Sequence, residues 1–237
     1  MSDYHGTSGR VSNTAGWAAE QRMWHQDGVA DTQPAPPRVG ILHAIKVPST
    51  GGDTLFACTR RIAEALLADE AQRGAAAALD PPPSLARACY RRHQRNRVPL
   101  DGVAIEESSG FLTESHGPYP LIATDGDGLA PFVVYNWNLE AIVRPDGSRL
   151  SPQSSWAYAR ALLEPHLGAT ASTIYRHHWA AGELLLWDNL ATIHSATAPC
   201  LYGEEERLMH RVRLRSAQPP RAYRSVSMSA AAQEDEQ

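Results

Sequence analysis

The stretch TIYRHHWAAGELLLWDNLATIH, residues 173–194, decides how this chain is read. From Thr173 to Trp179 its residues alternate with the period of two that an extended strand imposes. Ala181 and Gly182 supply a turn, and Glu183 to Asp188 forms an apolar strand. That strand breaks into a polar loop at Asp188-Asn189, shortly before His194. Such a break can deliver an imidazole to the end of a sheet, although a lone histidine there is more often a satisfied structural residue.

Working outward, Arg207 to Leu214 alternates again, and Pro131 to Asn136 looks like a further strand. Val39 to Val47 is a short apolar run ended by Pro48 and the Gly51-Gly52 turn, which suits a buried strand, and Asp53 to Ala57 resumes extended structure. Arg61 to Ala77 has the composition and spacing of a helix that the prolines Pro81 to Pro83 end. Ser151 followed by Pro152 is an N-cap with proline at the first helical position, opening a helix to about His166. From Arg91 to Leu129 the many Gly, Pro, Ser and Asp residues predict long loops with short strands, of the kind that often serve as lids. Short strands joined by turns give a mainly β fold with flanking helices, a sandwich or jelly roll. The expected organisation is a flexible arm at 1–15, one domain at 16–217 and a flexible tail at 218–237, with no internal repeat.

Composition narrows the function. The 237 residues are 43% hydrophobic and 20% charged, as in ordinary globular domains. Lys plus Arg number 22 and Asp plus Glu 26, a net charge of −4, which argues against a partner recognised by phosphate neutralisation. The local basic run Arg91, Arg92, His93, Arg95 and Arg97 reads as a solvated face. Cys58, Cys89 and Cys200 are too widely spaced for a disulfide framework or a CxxC metal site. No leader or apolar run of about 20 residues is seen, so a cytoplasmic setting without membrane contact is expected.

Four segments carry groups that could do chemistry. In Trp24-His25-Gln26-Asp27-Gly28, an extended backbone points His25 and Asp27 to one face, where they could meet one metal ion. Imidazole and carboxylate with a second histidine suit Fe(II). The His-x-Asp spacing alone is weak. His194 is the second candidate. In Arg207-Leu208-Met209-His210-Arg211, a strand would put both arginines on one face with Met209. Inward arginines are costly unless each meets an anion, and Arg grips carboxylates bidentately. Finally, Gly51 to Ala57 combines a glycine turn with the Thr54 hydroxyl, which could join an arginine on a carboxylate.

These four segments, Trp24 to Gly28, Pro48 to Ala57, Gly182 to His194 and Arg207 to Arg213, resemble the taurine dioxygenase (TauD/TfdA) family in their order and spacing. The resemblance runs from Trp24 to about Ser216. It implies a double-stranded β-helix, a distorted jelly roll of the clavaminate synthase-like kind, and an Fe(II)- and 2-oxoglutarate-dependent dioxygenase that uses O2 and releases succinate and CO2. By that likeness His25, Asp27 and His194 would be the iron ligands. Thr54 and Arg207 would bind the distal carboxylate of 2-oxoglutarate, while Arg211, with Gly28 and Asn136, would face a small, anionic or amino-acid-like substrate. Tyr135, Trp137 and Asn138 are further candidates for the pocket wall. A homo-oligomer is compatible with this reading.

Two departures from the family pattern bear on the substrate. Relatives usually carry a sizeable segment before the His-x-Asp motif, whereas 24 residues precede His25 here. A misplaced gene start, a naturally short member and partner chains completing the pocket all remain open, and a more open pocket is expected. Many relatives also have His-Pro followed by Arg where Tyr119 and Ala123 stand, which argues against taurine itself. The alternatives are a non-catalytic member of the fold acting through partners and a zinc hydrolase, the latter disfavoured for want of a placed general base. Asp125 to Gly128 is a turn rather than a calcium loop, and His177 and His178 face opposite sides of a strand and cannot chelate one ion.

Overall fold

Alternation and turn residues build twelve strands and two helices among the described residues of the structure, a computed structural model. Those residues are 24–30, 35–49, 51–73, 79–93, 112–124, 130–168, 171, 173–197, 207–214, 216 and 218–223. The expected arm at 1–15, the turn at 125–128, and Arg95, Arg97 and Cys200 lie outside them.

In chain order the elements begin with strands β1 (Val39–Lys46) and β2 (Thr54–Cys58), then helix α1 (Thr59–Arg73). Strands β3 (Arg87–His93), β4 (Leu112–Pro120), β5 (Ile122–Thr124), β6 (Pro131–Val133) and β7 (Leu139–Val143) follow. After helix α2 (Pro152–Leu167) come β8 (Tyr175–His177), β9 (Leu184–Asp188), β10 (Thr192–Ala196), β11 (Leu208–Leu214) and β12 (Arg221–Ala222). They pair antiparallel into four three-stranded sheets, ordered β11-β1-β9, β10-β2-β8, β12-β5-β6 and β4-β3-β7. The fold is therefore mainly β with two flanking helices. Helix α1 rests on β6 and α2 on β7, over a core that includes Trp24, Tyr90, Ile122, Phe132 and Tyr135. Among the described residues no helix is long and apolar enough to cross a membrane.

The Ser151 cap forms as the sequence predicts, its Oγ accepting the Ser154 amide at 3.1 Å. Helix α1 starts two residues ahead of the expected Arg61, at Thr59, whose hydroxyl donates to the Leu190 carbonyl at 2.6 Å. The predicted loop region holds more strand than expected, including β4 through Gly117-Pro118, where a positive φ lets the chain continue. Arg91 lies on β3 in an ion pair with Glu140 rather than on a solvated loop. The expected tail starts with β12, which pairs Arg221 with Thr124 and Ala222 with Ala123 and packs Tyr223 against the core.

Strand β1 is not the wholly buried strand that its apolar run suggested, and its apolar neighbour β9 is also partly open. Leu184 and Leu186 stand 58% and 56% exposed while Trp187 between β9's ends is buried. In β11, Val212 and Leu214 are 52% and 50% exposed. The register sets Ile41 between Leu186 and Val212, so these residues share the outer face of one sheet. The opposite face carries Gly40 and Trp187 side by side. A Cβ on Gly40 would lie 2.1 Å from the Trp187 ring, inside van der Waals contact. Gly40→Ala is expected to cost about 1–3 kcal/mol by overpacking. That would lower the thermal midpoint by roughly 2–12 °C; an unchanged midpoint would mean the sheet yields freely.

Candidate metal centre

The His-x-Asp segment is added to a sheet edge as one more extended strand. His25 N–H donates to the His194 carbonyl at 2.9 Å, and His194 N–H donates back to the His25 carbonyl at 3.0 Å. Residues exchanging both backbone bonds in an antiparallel pair project their side chains to the same face. The two imidazoles accordingly stand 4.3 Å apart between ring centres. Asp27, two residues along, reaches the same face. His25 Nε2 lies 3.7 Å and His194 Nε2 3.8 Å from Asp27 Oδ1. One ligand atom from each of the three lies within 4.8 Å of the others.

The backbone around Asp27 is clasped by side chains. Asn189 accepts the Asp27 amide through Oδ1 at 2.9 Å and donates through Nδ2 to the carbonyls of Asp27 (3.1 Å) and Pro37 (2.8 Å). Gln26, fully buried, donates to the Leu190 carbonyl at 2.9 Å and accepts the Tyr135 amide at 3.0 Å. Gly28 then turns the chain at φ +77°, with Pro37 where a Cβ would stand, only 2.4 Å away. Neither Gln26 nor Asn189 was singled out from the sequence, because the clasp joins residues 162 apart. The polar Asp188-Asn189 break was its visible trace. His194 itself belongs to strand β10 rather than to the loop the sequence suggested.

The electrostatics suit a cation. Asp27 is 3% exposed, and its Oδ2 is buried without a hydrogen-bond partner among the described residues. A buried carboxylate oxygen left unmet is costly unless a cation completes it. Arg211 Nη2 lies 2.9 Å from the other oxygen, Oδ1. Burial, then the neighbouring His25 and Arg211, hold the His194 pKa well below that of a free imidazole. Its ring is therefore neutral at physiological pH, the form that ligates metals. Phe56 and Trp187 wall the imidazole with ring centres 5.9 and 5.2 Å away. Two imidazoles and one carboxylate on one face, beside a buried oxygen without a hydrogen-bond partner among the described residues, fit a divalent ion such as Fe(II).

The other sequence candidates gather nearby. Thr54 faces Ala196 across β2 and β10, and Phe56 faces His194. Thr54 thus shares a sheet face with His194, about 7 Å along the strand. The Arg207 side chain crosses the Gly51-Gly52 turn, its Cδ 3.2 Å from where a Gly52 Cβ would stand. Its surroundings desolvate Arg207 and lower its pKa, while Asp53 acts in the opposite sense. A cleft of about 320 Å³ lined by Pro48, Gly52, Asp53, His178 and Trp179 opens there. Asn136 bridges to His25 on the backbone, but its amide is engaged with the Gln26 carbonyl (3.3 Å) and the Asn138 amide (2.9 Å). Tyr135 is core, 1% exposed. His177 is buried and His178 exposed, as the strand reading required.

Comparison with known proteins gives a consistent result. A family model described as "Taurine catabolism dioxygenase TauD, TfdA family" matches residues 2–213. Pentalenolactone F synthase of Streptomyces arenae is 30% identical over 208 residues, 82% of this chain and 62% of that protein. The alpha-ketoglutarate-dependent 2,4-dichlorophenoxyacetate dioxygenase of Cupriavidus pinatubonensis is 28% identical over 181 residues, 73% of this chain and 53% of that protein. A crystal structure of a taurine dioxygenase from Burkholderia xenovorans superposes with a TM-score of 0.57 at 23% identity, covering 81% of this chain and 57% of that one. The chain thus spans 53–62% of the length of these curated relatives.

A divalent ion held by the three side chains would stabilise the native state by an amount that grows with the logarithm of its concentration relative to its dissociation constant. At about 100-fold excess over its dissociation constant this is worth about 2.7 kcal/mol, or roughly 5–11 °C in thermal midpoint. Mn(II) or anaerobic Fe(II) is expected to give that shift in the wild type and none in Asp27→Ala or His194→Ala, by scanning calorimetry. Equal shifts in all three proteins would place the ion elsewhere.

Proposed function

Since this chain belongs to the TauD/TfdA family of dioxygenases, we propose that it is an Fe(II)- and 2-oxoglutarate-dependent dioxygenase acting on a small, anionic or amino-acid-like substrate, with hydroxylation as the default outcome and succinate and CO2 as co-products. The observation that carries this reading is the convergence of His25, Asp27 and His194, with an Asp27 carboxylate oxygen buried and without a hydrogen-bond partner among the described residues. We further propose that residues 16–217 form one catalytic domain with the double-stranded β-helix architecture of the family, in a cytoplasmic setting where the thiols of Cys58 and Cys89 are free.

When bound at that centre, iron supplies the activation of O2 that is coupled to decarboxylation of 2-oxoglutarate. The remaining work belongs to the protein. His25, Asp27 and His194 would hold the iron through two imidazoles and one carboxylate. Arg207 and the Thr54 hydroxyl hold the far carboxylate, so cosubstrate binding energy goes into orientation. The separation of about two strand residues between Thr54 and the His194 partner Phe56 matches a short dicarboxylate.

Arg211 takes the substrate's anionic group. A guanidinium has five N–H donors in a planar fork, so it can keep Asp27 on one edge and meet a second anion with another. Gly28 and Asn136, which flank the ligand segment, are assigned to the substrate wall. The Trp187 and Phe56 rings against His194 keep bulk water from that side of the imidazole.

Succinate formation by the Fe(II)-loaded protein with a library of small acids tests the assignment. Activity is expected to vanish in Asp27→Ala and in His194→Ala. Arg207→Ala is expected to raise the KM for 2-oxoglutarate roughly ten- to a hundredfold, the value of an Arg–carboxylate contact of about 1.5–3 kcal/mol. Metal binding without any decarboxylation would overturn the enzymatic reading; an unchanged KM would remove Arg207 from its role.

A further inference from the structure

Trp179 follows β8 and aims its indole at the residue assigned to the cosubstrate. Its Nε1 donates to Thr54 Oγ1 at 3.0 Å. An indole N–H can only donate, whereas a threonine hydroxyl carries one proton and two lone pairs. The contact therefore fixes the hydroxyl's polarity. One lone pair is taken by Trp179, and the O–H finds no acceptor among the described residues. Thr54 is 3% exposed, so water does not satisfy that proton freely. A buried hydroxyl with its acceptor side occupied and its proton unspent is a donor waiting for an anion.

The indole is itself held in place. His177 packs against it edge-on, with ring centres 4.4 Å apart at 84°. His177 lies across from Thr54 in the β2–β8 ladder. Its Nε2 is 3.3 Å from the Glu183 carboxylate and its Nδ1 is 3.2 Å from the Tyr175 hydroxyl. The Tyr175 hydroxyl contact at Nδ1 holds the ring that steadies Trp179, with the Glu183 carboxylate close to its other nitrogen.

We infer that Trp179 is a positioning residue for the cosubstrate, its indole N–H locking the Thr54 hydroxyl as a dedicated hydrogen-bond donor to the far carboxylate of 2-oxoglutarate. This rests on the cosubstrate assignment proposed above. Without the indole N–H, the hydroxyl can turn a lone pair toward the carboxylate, and the anion meets an acceptor for part of the time. Affinity for the far carboxylate then falls, while the 2-oxo acid end is untouched.

Calorimetric titration of the Mn(II)-loaded full chain with 2-oxoglutarate, and with 2-oxovalerate, which lacks the far carboxylate, tests this. Trp179→Phe keeps an aromatic ring beside His177 and deletes the donor. It is expected to weaken 2-oxoglutarate binding about three- to tenfold and to leave 2-oxovalerate binding as in the wild type. Thr54→Val is expected to weaken 2-oxoglutarate by about tenfold, and adding Trp179→Phe to it should change nothing further, because the two groups act as one. Equal weakening of both acids, or additive losses in the double variant, would make Trp179 a structural residue and overturn the inference. An unaffected Trp179→Phe beside a weakened Thr54→Val would overturn the indole's role alone. If neither Thr54→Val nor Arg207→Ala weakens 2-oxoglutarate, the cosubstrate assignment itself falls, and the inference with it.

Discussion

The backbone exchange between His25 and His194 is the constraint on which the centre depends. Two hydrogen bonds, at 2.9 and 3.0 Å, bring residues 169 positions apart into a cross-strand pair. Once that pair forms, strand geometry leaves little choice about where the imidazoles go. Asn189 and Gln26 then reinforce the register from both sides, Asn189 on the Asp27 amide and carbonyl and Gln26 on the Leu190 carbonyl. A slip of one residue would turn His25 and Asp27 away from His194 together. The convergence of the three side chains is thus specified by backbone pairing and buried amides alone.

The same logic explains which parts of the molecule could be read in advance. The grouping of His25, Asp27 and His194 was legible because strand periodicity puts positions 25 and 27 on one face and because four weak segments fall in one order. The pairing that makes them a centre was not, since hydrogen bonds between residues 24–28 and 189–194 leave no local pattern. Strand β10 hid for a related reason. Thr192 to Ala196 is short and follows a polar break, so its extended character comes from pairing with β2 rather than from its own composition. Strand β7 was likewise missed, and β4 runs through Gly117-Pro118, residues that usually mark a loop. Proline caps and helix ends, which depend on neighbours in sequence, were read closely; β12, which depends on β5, was not.

Charge is arranged economically around the centre. Asp27 is the acid of the three converging side chains, and it is also the group that Arg211 approaches. Asp53 plays a parallel part a few residues away, where it takes Arg176 and His178 and favours the charged state of Arg207. Each arginine assigned to an anion therefore has a carboxylate close by that tempers its charge. A guanidinium so tempered is less costly to bury and still has donors to spare.

The bare outer face of the β11-β1-β9 sheet ties two properties together that are usually separable. Leu184, Leu186, Val212 and Leu214 look out to water from the strands whose intervening residues, Trp187 and Arg211, line the centre. Along a strand, neighbours point in opposite directions only one peptide apart. Colloidal behaviour and chemistry are consequently written in alternate letters of the same two segments. Any evolutionary drift toward a wetter exterior must preserve the twist and spacing of the strands, or it will be felt at the imidazole wall and the guanidinium on the other side.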